Sequence, residues 1–273
     1  MCRCYDGRAL AGSAGRVGVP EGAGLYYQHY SGVDPQGKYP PLVFIHGAGG
    51  SHLHWPPELR RMADHDVYSL DLPGHGRSGG EPERTVRGYA HRLIEWLDHL
   101  DLEDVILVGH SMGGAISMTI VLDAPWRVKG LVLVGSGARL RVHPQILALT
   151  EDEHLYRQAA ARVTQWAFSD HADARMVELA NRRMAEVPAK VVHADFLACD
   201  AFDIMDRLND ISVPTLVICG EGDQMTPLKY SQYLDQHIPD SQLVLIQGAG
   251  HMVMLERPLE TVEHVRSFLP RLG

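Results

Sequence analysis

Short, uninterrupted apolar runs recur along the chain, and stretches with helical spacing separate them. The runs cover residues 42–45, 67–70, 105–108, 131–134, 216–218 and 243–246, and 25–30 forms a first, more polar strand. Runs that do not alternate with polar residues fit strands buried on both faces. Helical patterns cover 86–100, 112–122, 228–237 and 259–269, and in the first of these Leu93, Ile94 and Leu97 share one face. Strands alternating with helices predict an α/β fold with a mostly parallel sheet flanked by helices. The alternation stops at 139–208, where there is no strand signal and helices are expected at about 151–168, 172–186 and 190–208. Pro188 separates the last two, because proline cannot continue a helix interior. This block predicts an inserted helical cap over 139–208 within a core of 24–138 and 209–273. Residues 1–23, rich in Gly and Ala, are expected to form a loose leader, and Asp34, Pro35 and Gly37 a turn.

Composition narrows the class. A chain of 273 residues with 45% hydrophobic content can bury a large single core. With 22% charged residues, long disorder is not expected. The formal net charge of −9 disfavours nucleic acid as a partner. Four cysteines suggest no disulfide framework, and Cys2 and Cys4 are expected as exposed thiols on the leader rather than metal ligands. The first residues lack an apolar signal region, so a cytoplasmic location is the default expectation. Residues 105–122 lack Asp, Glu, Lys and Arg, but the break at His110, Ser111, Gly113 and Gly114 suits a strand–turn–helix rather than a membrane span.

That break carries the chemistry. Gly109-His110-Ser111-Met112-Gly113 lies between a buried strand and a helix, the setting that the G-x-S-x-G pattern requires. A sharp turn there exposes a serine hydroxyl, and the following helix directs free N–H groups at a developing oxyanion. Ser111 is therefore the expected nucleophile. It needs a base. Of the 16 histidines, His251 follows the last strand in Gly248-Ala249-Gly250-His251-Met252. The orienting acid is expected at Asp223, after the strand at 216–218, with Glu221 as the competitor. The position after the strand at 131–134 holds Gly135, Ser136 and Gly137 and offers no carboxylate. His46-Gly47-Ala48-Gly49-Gly50 can donate one oxyanion N–H from Ala48, or alternatively Gly49, with the second from Met112. His46 is expected to bond loop backbone. His52 and His54 lack a carboxylate or cysteine to complete a metal set, so neither a metal nor a cofactor is expected.

The blocks HGAGG, DLPGHGRS, GHSMGG and GEGDQMTP…GAGHMVMLERP resemble those of the α/β-hydrolase superfamily, in the same order, over residues 25–270. The chain resembles small esterases, enol-lactonases of the 3-oxoadipate type and cofactor-free haloperoxidase-like enzymes of that superfamily. The resemblance implies the α/β-hydrolase fold, a Ser111–Asp223–His251 triad, an oxyanion hole from Ala48 and Met112, and a cap after the sixth strand. It also implies that Asp71 and Arg77 fix the DLPGHGRS loop, and Ser111 argues against relatives with an aspartate nucleophile. The expected partner is a small ester or lactone, with the protein acting as a monomer or homo-oligomer. Gly49, Trp166, Phe168, Phe196, Phe202, Met225 and Met252 are candidate substrate-binding residues, because aromatics and flexible methionines suit an apolar group. Arg139 and Arg141 at the cap entrance keep acidic lactones open. Four readings follow: carboxylesterase, lactonase, carbon–carbon bond hydrolase, or a small-molecule receptor on a hydrolase fold.

Overall fold

The computed structural model of the protein describes residues 17–18, 24–32, 39–63 and 65–272. In chain order the first elements are β1 (Val17–Gly18), β2 (Tyr27–Tyr30), β3 (Leu42–Ile45), α1 (Pro57–Arg60), β4 (Val67–Leu70), α2 (Val86–His99), β5 (Val105–His110), α3 (Met112–Asp123) and β6 (Val128–Val134). Then come α4 (Pro144–Glu151), α5 (Tyr156–Ala167), α6 (Ala174–Glu186) and α7 (Ala189–Ala201). The chain closes with β7 (Thr215–Gly220), α8 (Leu228–His237), β8 (Ser241–Ile246), α9 (Val253–Glu256) and α10 (Pro258–Phe268). The strands form one sheet in the order β1-β2-β4-β3-β5-β6-β7-β8. β2 runs antiparallel to β4, and β3 through β8 pair in parallel. This is the α/β-hydrolase fold.

The apolar runs explain the layers. Successive strand residues point to opposite faces. Val43, Ile45 and Leu107 join the core under α2 and α3, whereas Leu42, Phe44, Ile106 and Val108 join the core under α1 and α10. α2 starts where the Thr85 hydroxyl accepts the Gly88 N–H at 3.0 Å. Its apolar stripe, including Leu93, Trp96 and Leu97, is buried against the sheet. α3 is buried nearly all round, which matches its unbroken apolar sequence. Truncating one such side chain to alanine would cost about 2–5 kcal/mol.

Differences from the sequence reading are local. β6 starts at Val128: exposed Lys129 and small Gly130 interrupt the apolar run, and the strand still pairs with β5 across a register shift that skips Lys129. β2 starts at Tyr27; Tyr26 instead spends its amide on the Ser78 hydroxyl at 2.8 Å. α4 has no counterpart in the sequence reading, although His143 accepts the Gln145 N–H and Pro144 opens its first turn. α7 ends at Ala201, because the chain turns there to bridge Asp203 to Arg139. Within the expected leader, Val17 and Gly18 pair with β2. Cys2, Cys4, the rest of the leader and the turn at 34–37 lie outside the described residues. Among the described residues, no helix is long and apolar enough to cross a membrane.

Candidate active site

Ser111 caps α3 immediately after β5, with φ 53° and ψ −117°. A non-glycine residue there is strained, and the surroundings hold it in place. Its N–H donates to Val134 O at 2.9 Å, and its carbonyl accepts from Ser136 Oγ at 2.8 Å and Gly114 N at 2.9 Å. The flanking glycines are required by contact. A Cβ on Gly109 would fall 2.3 Å from Gly113 O, and one on Gly113 would fall 2.1 Å from Ile45 O.

Asp223 and His251 meet beside β6. Asp223 follows β7 in a turn whose Met225 and Thr226 amides donate to Oδ1 at 2.9 and 2.8 Å. Its Oδ2 accepts from His251 Nδ1 and from Thr226 Oγ1, both at 2.9 Å. Burial pushes the Asp223 carboxyl up, but the His251 charge and these hydrogen bonds outweigh it and hold the group below the ordinary carboxylate value. Glu221, the alternative acid, is exposed and accepts the Gly248 N–H instead. Gly135 (φ 54°) lies against the pair, since a Cβ there would come 3.1 Å from His251 Nδ1. A larger residue at that position would push the imidazole aside.

Sequence reasoning missed two supports of His251. Thr226 Oγ1 lies 3.2 Å from His251 Nδ1 as well as bonding Asp223. His110 Nε2 donates to the His251 carbonyl at 3.1 Å, which leaves its buried Nδ1 without a partner. Burial first, then the neighbouring His251 and His54, hold the His110 pKa well below the ordinary histidine value. Its position as the variable residue of the G-x-S-x-G pattern was the available signal.

The loop after β3 closes over Ser111. A Cβ on Gly47 would lie 3.1 Å from Ser111 Cβ. His46 bonds backbone on both sides: Nδ1 donates to Gly47 O at 2.8 Å, and Nε2 accepts Leu72 N–H at 3.0 Å. Among the described residues, neither the Ala48 N–H nor the Met112 N–H has a protein acceptor. The Gly49 N–H is already committed to Asp195 Oδ2 at 2.8 Å. Asp71 takes the His52 N–H and ring and the Arg77 N–H. Among the described residues, no three His, Cys, Asp or Glu side chains converge as a metal site.

A cleft of about 860 Å³, counting its open mouth, holds Ser111 and His251 together with Ala48, Gly49, Phe168, Phe196, Met225 and Met252. Val163, Met184 and Leu140 add apolar wall that the sequence did not single out. Two expected lining residues are not there. Trp166 falls off the buried stripe of α5 and sits with His143 and Ile146 in an adjoining groove that shares Val142, Val163, Phe196 and Met225 with the cleft. Phe202 follows the end of α7 and packs into the main core instead. Arg141 reaches the cleft rim, but both it and Arg139 face Asp203, at 3.6 and 3.7 Å.

A family profile described as the alpha/beta hydrolase family matches residues 42–264. A putative carbamate hydrolase, RutD, from Agrobacterium fabrum is 30% identical over 237 residues, covering 80% of this chain and 88% of its own. The solved structure of a thermophilic esterase is 35% identical with a TM-score of 0.79, covering 92% of this chain and 95% of its own. That of Est816, described as an N-acyl homoserine lactone degrading enzyme, is 29% identical with a TM-score of 0.78, covering 89% and 96%. With the profile spanning most of the sheet and the helices around it, the chain belongs to the alpha/beta hydrolase family.

Proposed function

We propose that the protein is a serine hydrolase that cleaves carboxylic esters of small, fairly apolar substrates through an acyl-enzyme on Ser111. The observation that carries this reading is the buried Asp223–His251 hydrogen bond at 2.9 Å, opening into the same cleft as Ser111. With Nδ1 occupied by the carboxylate, Nε2 is the nitrogen left to take the Ser111 proton. Ser111 Oγ attacks the carbonyl carbon, and the oxyanion is received by the N–H groups of Ala48 and Met112. His251 then protonates the departing alkoxide. Water, deprotonated by His251, attacks the acyl carbon and releases the acid, restoring the serine.

The helical insertion, 139–208, acts as a cap in this reading, and its apolar wall selects the acyl or aryl group. Asp203 opposite Arg139 and Arg141 offsets the rim charge, which favours neutral over acidic substrates. Lactone hydrolysis is the second reading, because a ring ester needs the same attack and oxyanion sites and a lactone-degrading protein is among the similar structures. A series of aryl esters of increasing acyl length, run beside simple lactones, tests both. Open-chain turnover should exceed lactone turnover, and Ser111→Ala should lose about 10⁶ in kcat. Unchanged hydrolysis by Ser111→Ala would remove the proposal.

A further inference from the structure

Asp195 is fully buried on α7, yet its carboxylate reaches out of the insertion into the body of the enzyme. Oδ2 accepts the Gly49 N–H at 2.8 Å and His75 Nε2 at 2.8 Å, and Oδ1 accepts the Tyr89 hydroxyl at 2.5 Å. One side chain thus joins four segments: α7, the loop after β3, the loop after β4, and α2. An apolar residue would fill the same space without the desolvation cost of a buried ion. The carboxylate therefore needs an explanation beyond packing.

The backbone it holds supplies one. Peptide units are planar and trans, so fixing one edge of a unit aims the other. The Gly47 carbonyl accepts from His46 Nδ1 at 2.8 Å and from Gly50 N at 3.1 Å, which turns the Ala48 N–H of that same unit the opposite way. The next unit, between Ala48 and Gly49, is fixed by Asp195. Gly49 has φ 64°, so the loop bends sharply there and relies on that anchor to keep its direction. His75 in turn braces Asp195: its Nδ1 faces Pro73 O at 3.0 Å and its Nε2 faces the carboxylate. Both ring nitrogens face acceptor oxygens, an arrangement that favours the imidazolium form of His75 and its pairing with the carboxylate.

We infer that Asp195 is a positioning residue that locks the insertion to the oxyanion loop and holds the Ala48 N–H in its reactive direction. The inference rests on the acyl-enzyme reading above and adds that the oxyanion hole is assembled only while α7 is docked.

The test compares the wild type, Asp195→Asn, Asp195→Val and the core control Leu97→Ala by aryl-ester kinetics, fluorophosphonate labelling rate and Tm. Losing one oxyanion donor costs about 10²–10³ in turnover. Asp195→Val should accordingly lose about 100-fold in both kcat and labelling rate, with KM within about threefold. Asp195→Asn keeps an acceptor oxygen and should recover to about a tenth of wild type. Leu97→Ala should lower Tm while leaving kcat in place. If Asp195→Val does not fold, Asp195→Asn decides by itself. Wild-type kcat and labelling in either folded Asp195 variant would overturn the inference, whatever the Tm. Failure of wild-type labelling at Ser111 would instead remove the acyl-enzyme reading and this inference with it.

Discussion

At the scale of single residues, strain and hydrogen bonding at Ser111 and His251 make opposing demands on stability and activity. Ser111 at φ 53° stores strain of about 1–3 kcal/mol. Glycine relieves it and alanine does not, so Ser111→Gly should melt a few degrees above Ser111→Ala by calorimetry, with both inactive. Equal melting temperatures would mean that the serine is not strained. Thr226 bonds the Asp223 carboxylate and lies beside His251. Thr226→Val keeps the shape and removes the hydroxyl, so kcat should fall about tenfold with KM little changed, in steady-state assays. Ser111, Asp223, His251, Ala48 and Met112 were legible because each sits next to a strand end in a recognisable pattern. Thr226 and Asp195 were not, because their contacts with His251 and Gly49 span 25 and 146 residues and only folding makes them, and His110 stands inside the G-x-S-x-G pattern only as its variable residue.

At the scale of elements, α5 and α7 show which part of the cleft a sequence can disclose. α5 buries Tyr156, Ala159, Ala160, Val163, Thr164 and Ala167, so Trp166 falls outside the stripe. Helical spacing alone places Trp166 beside the cleft wall, in the adjoining groove, rather than on it. Phe202 could not be placed that way, because it depends on where α7 stops, and no glycine or proline marks that end. Phe196, one turn after Val192, faces the cleft. Phe196→Ala should therefore shift preference toward longer acyl chains in a p-nitrophenyl ester series. Phe202→Leu should leave chain-length preference alone and lower stability by about 1 kcal/mol. A specificity change in the Phe202 variant would place the cleft differently. The strand cores were legible because their apolar runs are short and continuous, whereas the polar starts of β6 (Lys129) and β8 (Ser241, Gln242) fell outside those runs. α4 was missed because its cap is a histidine followed by proline, a weaker signal than Ser, Thr or Asp.

At the scale of the molecule, the buried ion pairs set how stability depends on pH. Burial lowers the His75 pKa, but Asp195 outweighs this through its charge and hydrogen bond, with help from Pro73 O and Asp71, and the net shift is upward. His46, His54 and the Tyr89 ring also face this imidazole. Because the folded value exceeds the unfolded one of about 6.5, the contribution is complete below that pH and fades as pH rises through the folded value. Asp223 has the opposite sign: its folded value lies below the unfolded one of about 3.9, so its contribution is present above that and fades as pH falls through the folded value. The wild type should therefore lose Tm on the alkaline side more steeply than Asp195→Asn does. Coincident alkaline slopes in a thermal-melt series would mean that His75 is not held charged.

The central claim is that Ser111 is an activated nucleophile, and covalent capture tests it most directly. The folded wild type, treated with a fluorophosphonate and digested for mass spectrometry, should carry one label on the peptide containing Ser111. The label should vanish in Ser111→Ala. A label on another residue, or none on folded protein, would contradict the account.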